Sequence, residues 1–296
     1  MGGVPLFCMR WGGLMLEQQI ILPISTKKEL MDFARASNQL HNDQHRNLVV
    51  TLTKDINLGG KEWTPIGNEN FPFHGTFDGA GHTIRGLHIS QNREGCYGLF
   101  GAIDGTVKNL TILGTMTCLA DDLYSAAGGI AGVVVEGHIQ NCTANLTMES
   151  NGKNVGLFAG GIAGRVENGT IQNCHSSVVF QNSGGIFLYL GGVVGSAADS
   201  QINSCVFDGT IHILDGADEN FSLGGIAGSL EGHSDVICCT HNGIAEGQWR
   251  DTDFPAVGEE QCREKHPFFA LAALGFAYSA LLYGITAQKR KTDTKE

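Results

Sequence analysis

Proline is scarce, 6 of 296 residues, and only 17% of the side chains are charged, against about 25% in ordinary soluble domains. With so little proline, and with glycines that follow no three-residue period, a collagen-like triple helix is excluded. Low charge combined with 42% hydrophobic residues also excludes a disordered chain, which requires the reverse balance. Basic residues are outnumbered, 19 Lys and Arg against 30 Asp and Glu, giving a net charge of -11. No nucleic-acid partner is expected, because phosphate binding needs a basic stripe. A Gly-x-x-x-x-Gly-Lys phosphate loop and a dinucleotide fingerprint are absent too, so the glycines do not point to nucleotide binding. Nine cysteines in 296 residues are too dilute for a disulfide-dependent mini-protein.

What the chain has in excess is glycine, 42 residues, roughly twice the usual share of about 7%. Each interior glycine costs a helix about 1 kcal/mol relative to alanine, which disfavours a helical bundle and favours a β-rich protein with many tight turns. The glycines recur in blocks. Aligning on the last glycine of each GLFG or GG-x-x-G block gives Gly101, Gly132, Gly164, Gly195 and Gly228, at steps of 31, 32, 31 and 33 residues. Each repeat reads as a small apolar strand, a turn, a short strand, a turn and a more variable third strand. No helical 3.6-residue stripe lies between Gly98 and Gly247.

Three short strands per repeat describe one coil of a β-solenoid rather than a propeller blade, which needs four strands and about 40 or more residues. The expected fold class is therefore all-β, a right-handed parallel β-helix of about six coils. Thr26-Lys-Lys-Glu29 is a capping box opening a helix with Leu30, Phe33, Ala34 and Leu40 on one face. Such a helix would cap the open end of the solenoid, whose unpaired strand edge otherwise invites aggregation. Residues 48–58 then read as the first strand.

The two ends of the chain read differently. Phe268–Ala287 runs 20 residues without a charge, long enough as a helix to span about 30 Å of bilayer core. Lys289, Arg290 and Lys291 follow, which places the tail on the cytoplasmic side. The membrane, through Phe268–Ala287, is thus an expected partner. No signal peptide is evident in the first residues, where Arg10 is the sole basic side chain and Glu17 interrupts the apolar run. The expected organisation is a leader or truncated region at 1–23, a capping helix at 24–46, a β-helix at 47–247 with repeats of 31–33 residues, a linker at 248–267, an anchor at 268–287 and a basic cytoplasmic tail at 288–296.

At this point IST-KKEL, LTKDINL, WTPIG, PFHGTFDGAGHTIRGL, YGLFG and the repeated GGIAG…NC resemble the GLUG-motif β-helix proteins over roughly Pro23 to Gly247. These are bacterial surface proteins, and the domain also precedes the peptidase unit of IgA-cleaving metallopeptidases. The resemblance implies a β-helix displayed outside the cell, with no catalytic residues to carry over. The zinc peptidase motif His-Glu-x-x-His is absent, so peptidase activity is not implied. Phe254-Pro255-Ala256-Val257-Gly258 also resembles a sortase sorting signal of the Leu-Pro-x-Thr-Gly type, departing at Phe254 and at Val257, where the transpeptidase cuts. Cell-wall attachment is therefore the alternative to a plain membrane anchor.

Among chemistry-bearing residues, Cys142, Cys174, Cys205 and Cys238 each fall ten residues after the aligning glycine. Stacked at about 4.8 Å, they form a ladder of thiols, turned inward if Asn141 and Asn173 make a left-handed corner. A buried ladder is the plain reading; disulfides between coils and metal binding are the alternatives. Side chains in parallel register point the same way, which does not favour a bridge. Asp104, Glu136, Glu167, Asp199 and Glu231 sit three or four residues after the same glycines, as ordinary turn acids or as a carboxylate stripe able to bind calcium. No other cofactor is expected. Glycoside hydrolysis needs two carboxylates at a defined separation, and Asp121, Asp122, Asp215, Asp218 and Glu219 lie in variable loops. Cys238-Cys239-Thr240-His241 lacks a second pair for zinc. No catalytic, cofactor-binding or metal residue is assigned.

The expected function is non-enzymatic display at the cell surface, anchored at the C-terminus. The variable loops 117–127, 149–157 and 212–222 would be presented to a host or cell-surface protein or glycan. The alternatives are a carbohydrate-active β-helix enzyme and a non-catalytic domain of a larger surface protease.

Overall fold

Each glycine-centred repeat closes one coil of a parallel β-solenoid of about six turns. The computed structural model describes residues 19–39, 46–91, 95–118, 124–150, 156–182, 187–213, 221–247 and 256–257. The expected anchor at 268–287, the tail at 288–296, most of the linker and residues 1–18 of the expected leader lie outside them. Among the described residues no helix is long and apolar enough to cross a membrane.

A coil has four sides where three strands were expected. Tyr124–Gly128 lies on a five-stranded leading face, Ala131–Val135 on a five-stranded trailing face, His138–Gln140 on an eight-stranded face and Thr143–Ser150 on a ten-stranded face. Equivalent strands of the neighbouring coils pair in parallel with each of them. The extra side arises because the glycine block is a corner rather than a strand. Gly128 ends one strand, Gly129 and Ile130 turn, and Ala131 begins the next. Gly161 shows why no side chain fits there: a Cβ would sit 1.8 Å from the Ser176 Oγ of the opposite wall.

Inside, register converts the repeat into columns. Leu22, Val50, Phe77, Val107, Ile139, Ile171, Ile202 and Val236 stack coil upon coil along the eight-stranded face. From Val50 to Ile202 this column is fully buried. Burying each such side chain is worth about 1.5–3 kcal/mol, so the coils are held together mainly by apolar stacking. Corners are set by residues that accept a left-handed backbone. Asn109, Asn141 and Asn173 have φ of 54°, 54° and 51°, and the Asn141 amide donates to Asn109 Oδ1 at 3.2 Å.

At the N-terminal end the helix is shorter than the expected 24–46, running Lys27–Ser37. Thr26 Oγ1 accepts from the Glu29 N–H while the Glu29 carboxylate accepts from the Ser25 and Thr26 N–H groups, at 2.7 and 3.0 Å. This closed box fixes the start. Ile24 is not helical; it ends a strand, Ile20–Ile24, that pairs in parallel with Leu48–Leu52. Pairing with Leu48–Leu52 thus draws residues read as leader into a strand, and Pro23 is tolerated there because the strand lies at a sheet edge. Leu30, Phe33 and Ala34 are buried, and the Phe33 ring meets Phe73 edge-on at 5.9 Å, beneath the Phe77–Phe100 contact. Residues 48–58, expected as one strand, divide into Leu48–Leu52 and Ile56–Asn57 on different faces.

Candidate functional site

One edge of the solenoid collects the insertions. The ten-stranded face is left at Gln91, Cys118, Ser150, Asn182, Ile213 and Gly247, which are register partners of one another. The leading face is rejoined at Gly95, Tyr124, Gly156, Phe187 and Phe221. The segments between, 92–94, 119–123, 151–155, 183–186 and 214–220, are therefore attached along a single edge; 119–123, 151–155 and 214–220 fall within the loops expected from the sequence, whereas 92–94 and 183–186 were not among them. Asp121 and Asp122 belong to a segment attached three rungs from the one that holds Asp215, Asp218 and Glu219. That is about 14 Å along the axis at the ordinary strand spacing.

The thiol ladder forms with one change of member. Asp235, Val236 and Ile237 pair with Gln201, Ile202 and Asn203, so Cys239 rather than Cys238 stands over Cys205. An additional residue in the preceding corner, where Gly232 has φ 61°, moves the register by one. Cys238 takes the corner position instead, exposed and at φ 52°. Cys142, Cys174, Cys205 and Cys239 each donate to the carbonyl two residues back, at 3.2–3.3 Å. Cys118, Cys142, Cys174, Cys205, Cys238 and Cys239 form no disulfide. Burial pushes the Cys118 thiol up to about 12, and a hydrogen bond with the Cys174 thiol, reinforced by burial, pushes Cys205 up to about 12. These thiols are packing groups, not nucleophiles.

The acidic residues do not form a continuous stripe. Asp104, Glu167 and Glu231 share a column with Val135 and Ala198, whereas Glu136 and Asp199 belong to the adjacent corner column with Asn168 and Gly232. Val135 and Ala198 thus interrupt the first row, and Asn168 and Gly232 the second. Among the described residues no three His, Cys, Asp or Glu side chains come together to hold a metal ion. His241 packs across the coil against the position of Gly225, away from any metal arrangement with Cys238.

Two clusters were not legible beforehand. On the ten-stranded face Asp208 accepts from Ser177 Oγ and lies 2.7 Å from His175 Nε2. Burial raises the Asp208 carboxyl, but these two hydrogen bonds outweigh it and hold the group below the usual range. Here the carboxylate binds both the hydroxyl and the imidazole. Ser177 Oγ also lies 3.5 Å from the same His175 Nε2, and the three side chains tie one coil to the next.

The second cluster lies where the outer sides of the leading and trailing faces approach each other. A Cβ at Gly164 would lie 2.5 Å from the Ala127 nitrogen, so only glycine allows this closeness. Phe158 and Tyr189, register partners, stack at 5.1 Å and 11°. Arg165 lies over the Phe158 ring at 6.0 Å and pairs with Glu167. Both aromatics stand six residues before an aligning glycine, a coincidence of offset that the sequence did contain.

No family model matches the chain. An 81-residue stretch is 37% identical to a Gly-rich membrane protein, provisionally so named, of Evansella cellulosilytica, covering 26% of this chain and 9% of that protein. A 106-residue stretch is 34% identical to halomucin of Haloquadratum walsbyi, covering 33% of this chain and 1% of that protein. The chain thus spans a small fraction of the curated relatives it matches. Among solved structures, one provisionally named as an immunoglobulin A1 protease from Bacteroides ovatus is similar at a TM-score of 0.45 and 19% identity, over 76% of this chain and 83% of that one.

Proposed function

We propose that this protein is a non-enzymatic surface-display solenoid of the GLUG-motif kind, held at a membrane by Phe268–Ala287. The observation that carries the reading is the single loop-bearing edge. Loops attached in register on a rigid scaffold vary without disturbing the coils, which is how binding surfaces are built on repeat folds. The local identity with a Gly-rich membrane protein supports membrane association. In this reading helix Lys27–Ser37 caps the N-terminal mouth of the core, and Ala256 and Val257 cover the trailing edge at the other end. Ile226 and Ala227 donate to the Ala256 carbonyl at 2.8 and 3.1 Å. Val257 stands where the Leu-Pro-x-Thr-Gly pattern has the Thr at which the transpeptidase cuts, which favours the plain membrane anchor over wall attachment.

Fractionation of cells expressing the full chain or a chain ending at Pro267 tests the anchor. The full chain is expected in the membrane fraction and the shortened one outside it. Equal membrane retention of both would remove Phe268–Ala287 as the anchor.

A further inference from the structure

We infer that Ala256 and Val257 form a latch, one further corner of the solenoid that closes the trailing face of the last coil and opens without unfolding the coils beneath it. The inference goes beyond the display reading and does not depend on the anchor.

The interior corners are closed in one way, by a single carbonyl of the next coil that accepts from two consecutive N–H groups. The Ile162 carbonyl accepts from Ile130 and Ala131 at 3.0 and 3.2 Å, that of Val193 from Ile162 and Ala163 at 2.9 and 3.2 Å, and that of Ile226 from Val193 and Val194 at 3.0 and 2.9 Å. The Ala256 carbonyl repeats this bonding on Ile226 and Ala227. Val257 then extends, by a parallel bridge to Ala227, the column of Phe100, Ala131, Ala163, Val194 and Ala227. The sequence carries the same mark. Ala256-Val257-Gly258 follows Ile226-Ala227-Gly228 at a step of 30 residues, next to the 31–33 of the repeats. The stretch that resembles a sorting signal thus carries the letters of a coil corner.

This corner is held more weakly than the others. Ile162, Val193 and Ile226 are fully buried, whereas Ala256 is exposed and Val257 half-buried. Each interior carbonyl leads into a five-residue strand, Ala163–Glu167, Val194–Ala198 or Ala227–Glu231. The Ala256 carbonyl leads into one isolated bridge. Segments with few buried contacts and exposed backbone hydrogen bonds open at a lower free energy than the fold as a whole. A pull on the chain beyond Val257 also reaches this corner before it reaches any coil. The latch therefore yields first, leaving the Ile226 and Ala227 N–H groups on an open sheet edge while the coils keep their register.

The test is amide hydrogen exchange of the full chain in detergent micelles, resolved to Ile226 and Ala227 and to the interior pair Ile162 and Ala163. Val257→Asp puts a carboxylate at the end of a buried apolar column, and Val257→Ile keeps that end apolar. In the wild type Ile226 and Ala227 are expected to exchange at least about tenfold faster than Ile162 and Ala163, with a weaker dependence on urea. Val257→Asp is expected to speed them at least about tenfold further with Ile162 and Ala163 unchanged, and Val257→Ile to leave all four at wild-type rates. Equal rates for the two pairs in the wild type, or rates at Ile226 and Ala227 that Val257→Asp does not alter, overturn the latch. Neither outcome bears on the fractionation test of the anchor.

Discussion

Cys238 shows how one residue behaves when register assigns it a place unlike its neighbours'. Three earlier coils put Asn at this corner and another puts Ser204, all with a left-handed backbone. A left-handed conformation costs ordinary residues roughly 1–2 kcal/mol, and Asn much less. Cys238→Asn is therefore expected to stabilise the fold by up to about 1 kcal/mol, read as a higher urea midpoint at constant slope. Thiol labelling of the native protein, followed residue by residue with mass spectrometry, should modify Cys238 well before Cys142, Cys174 and Cys205. Simultaneous labelling would contradict the register. A ladder of cysteines was legible from the ten-residue offset. Its last member was not, because a single additional residue in the corner at Gly232 is invisible until strands are paired.

Acid response belongs to the same scale. The His233 backbone N–H donates to Asp199 at 2.9 Å and holds its carboxyl below the usual range. A group with a lowered folded pKa stabilises the fold fully above the unfolded value and loses that contribution as pH falls through the folded one. Stability of the wild type should therefore decline below about pH 4, and Asp199→Asn should flatten that part of the curve. A mutant curve parallel to the wild type across this range would exclude the role.

Among elements, the glycine corner and the first helix carry most of the specification. Gly164→Ala forces a Cβ toward the Ala127 nitrogen and the Gly132 carbonyl, at 2.5 and 2.7 Å. Backbone on both sides leaves little room to yield, so a loss of about 1–3 kcal/mol is expected in urea unfolding. Gly81→Ala, at φ 82° with open space around it, should cost no more than left-handed strain. Thr26→Ala removes half of a reciprocal cap and should cost about 0.5–2 kcal/mol. The repeat period exposed the solenoid because every coil buries the same columns. The number of sides per coil stayed hidden, since Gly128–Ile130 carries the same letters whether it continues a strand or turns one. The Phe158–Tyr189 pair was equally hidden, although its offset was constant, because outward and inward positions separate only once Gly132 and Gly164 bring the two faces together. Ile20–Ile24 went unread as a strand because its pairing partner, Leu48–Leu52, lies beyond an intervening helix.

At the scale of the molecule, the solenoid turns a sequence repeat into a surface on which one edge carries the variation and the other faces carry the order. The segments that hold Asp121 and Asp122, and Asp215, Asp218 and Glu219, leave that edge three rungs apart. Low charge and high glycine have the same origin, since stacked apolar columns and close corners recur in each coil. The most direct measurement is antibody labelling of intact cells that express the full chain with a short epitope inserted within 214–220. Labelling from outside, at the level seen after permeabilisation, is the predicted result. Labelling only after permeabilisation would contradict surface display.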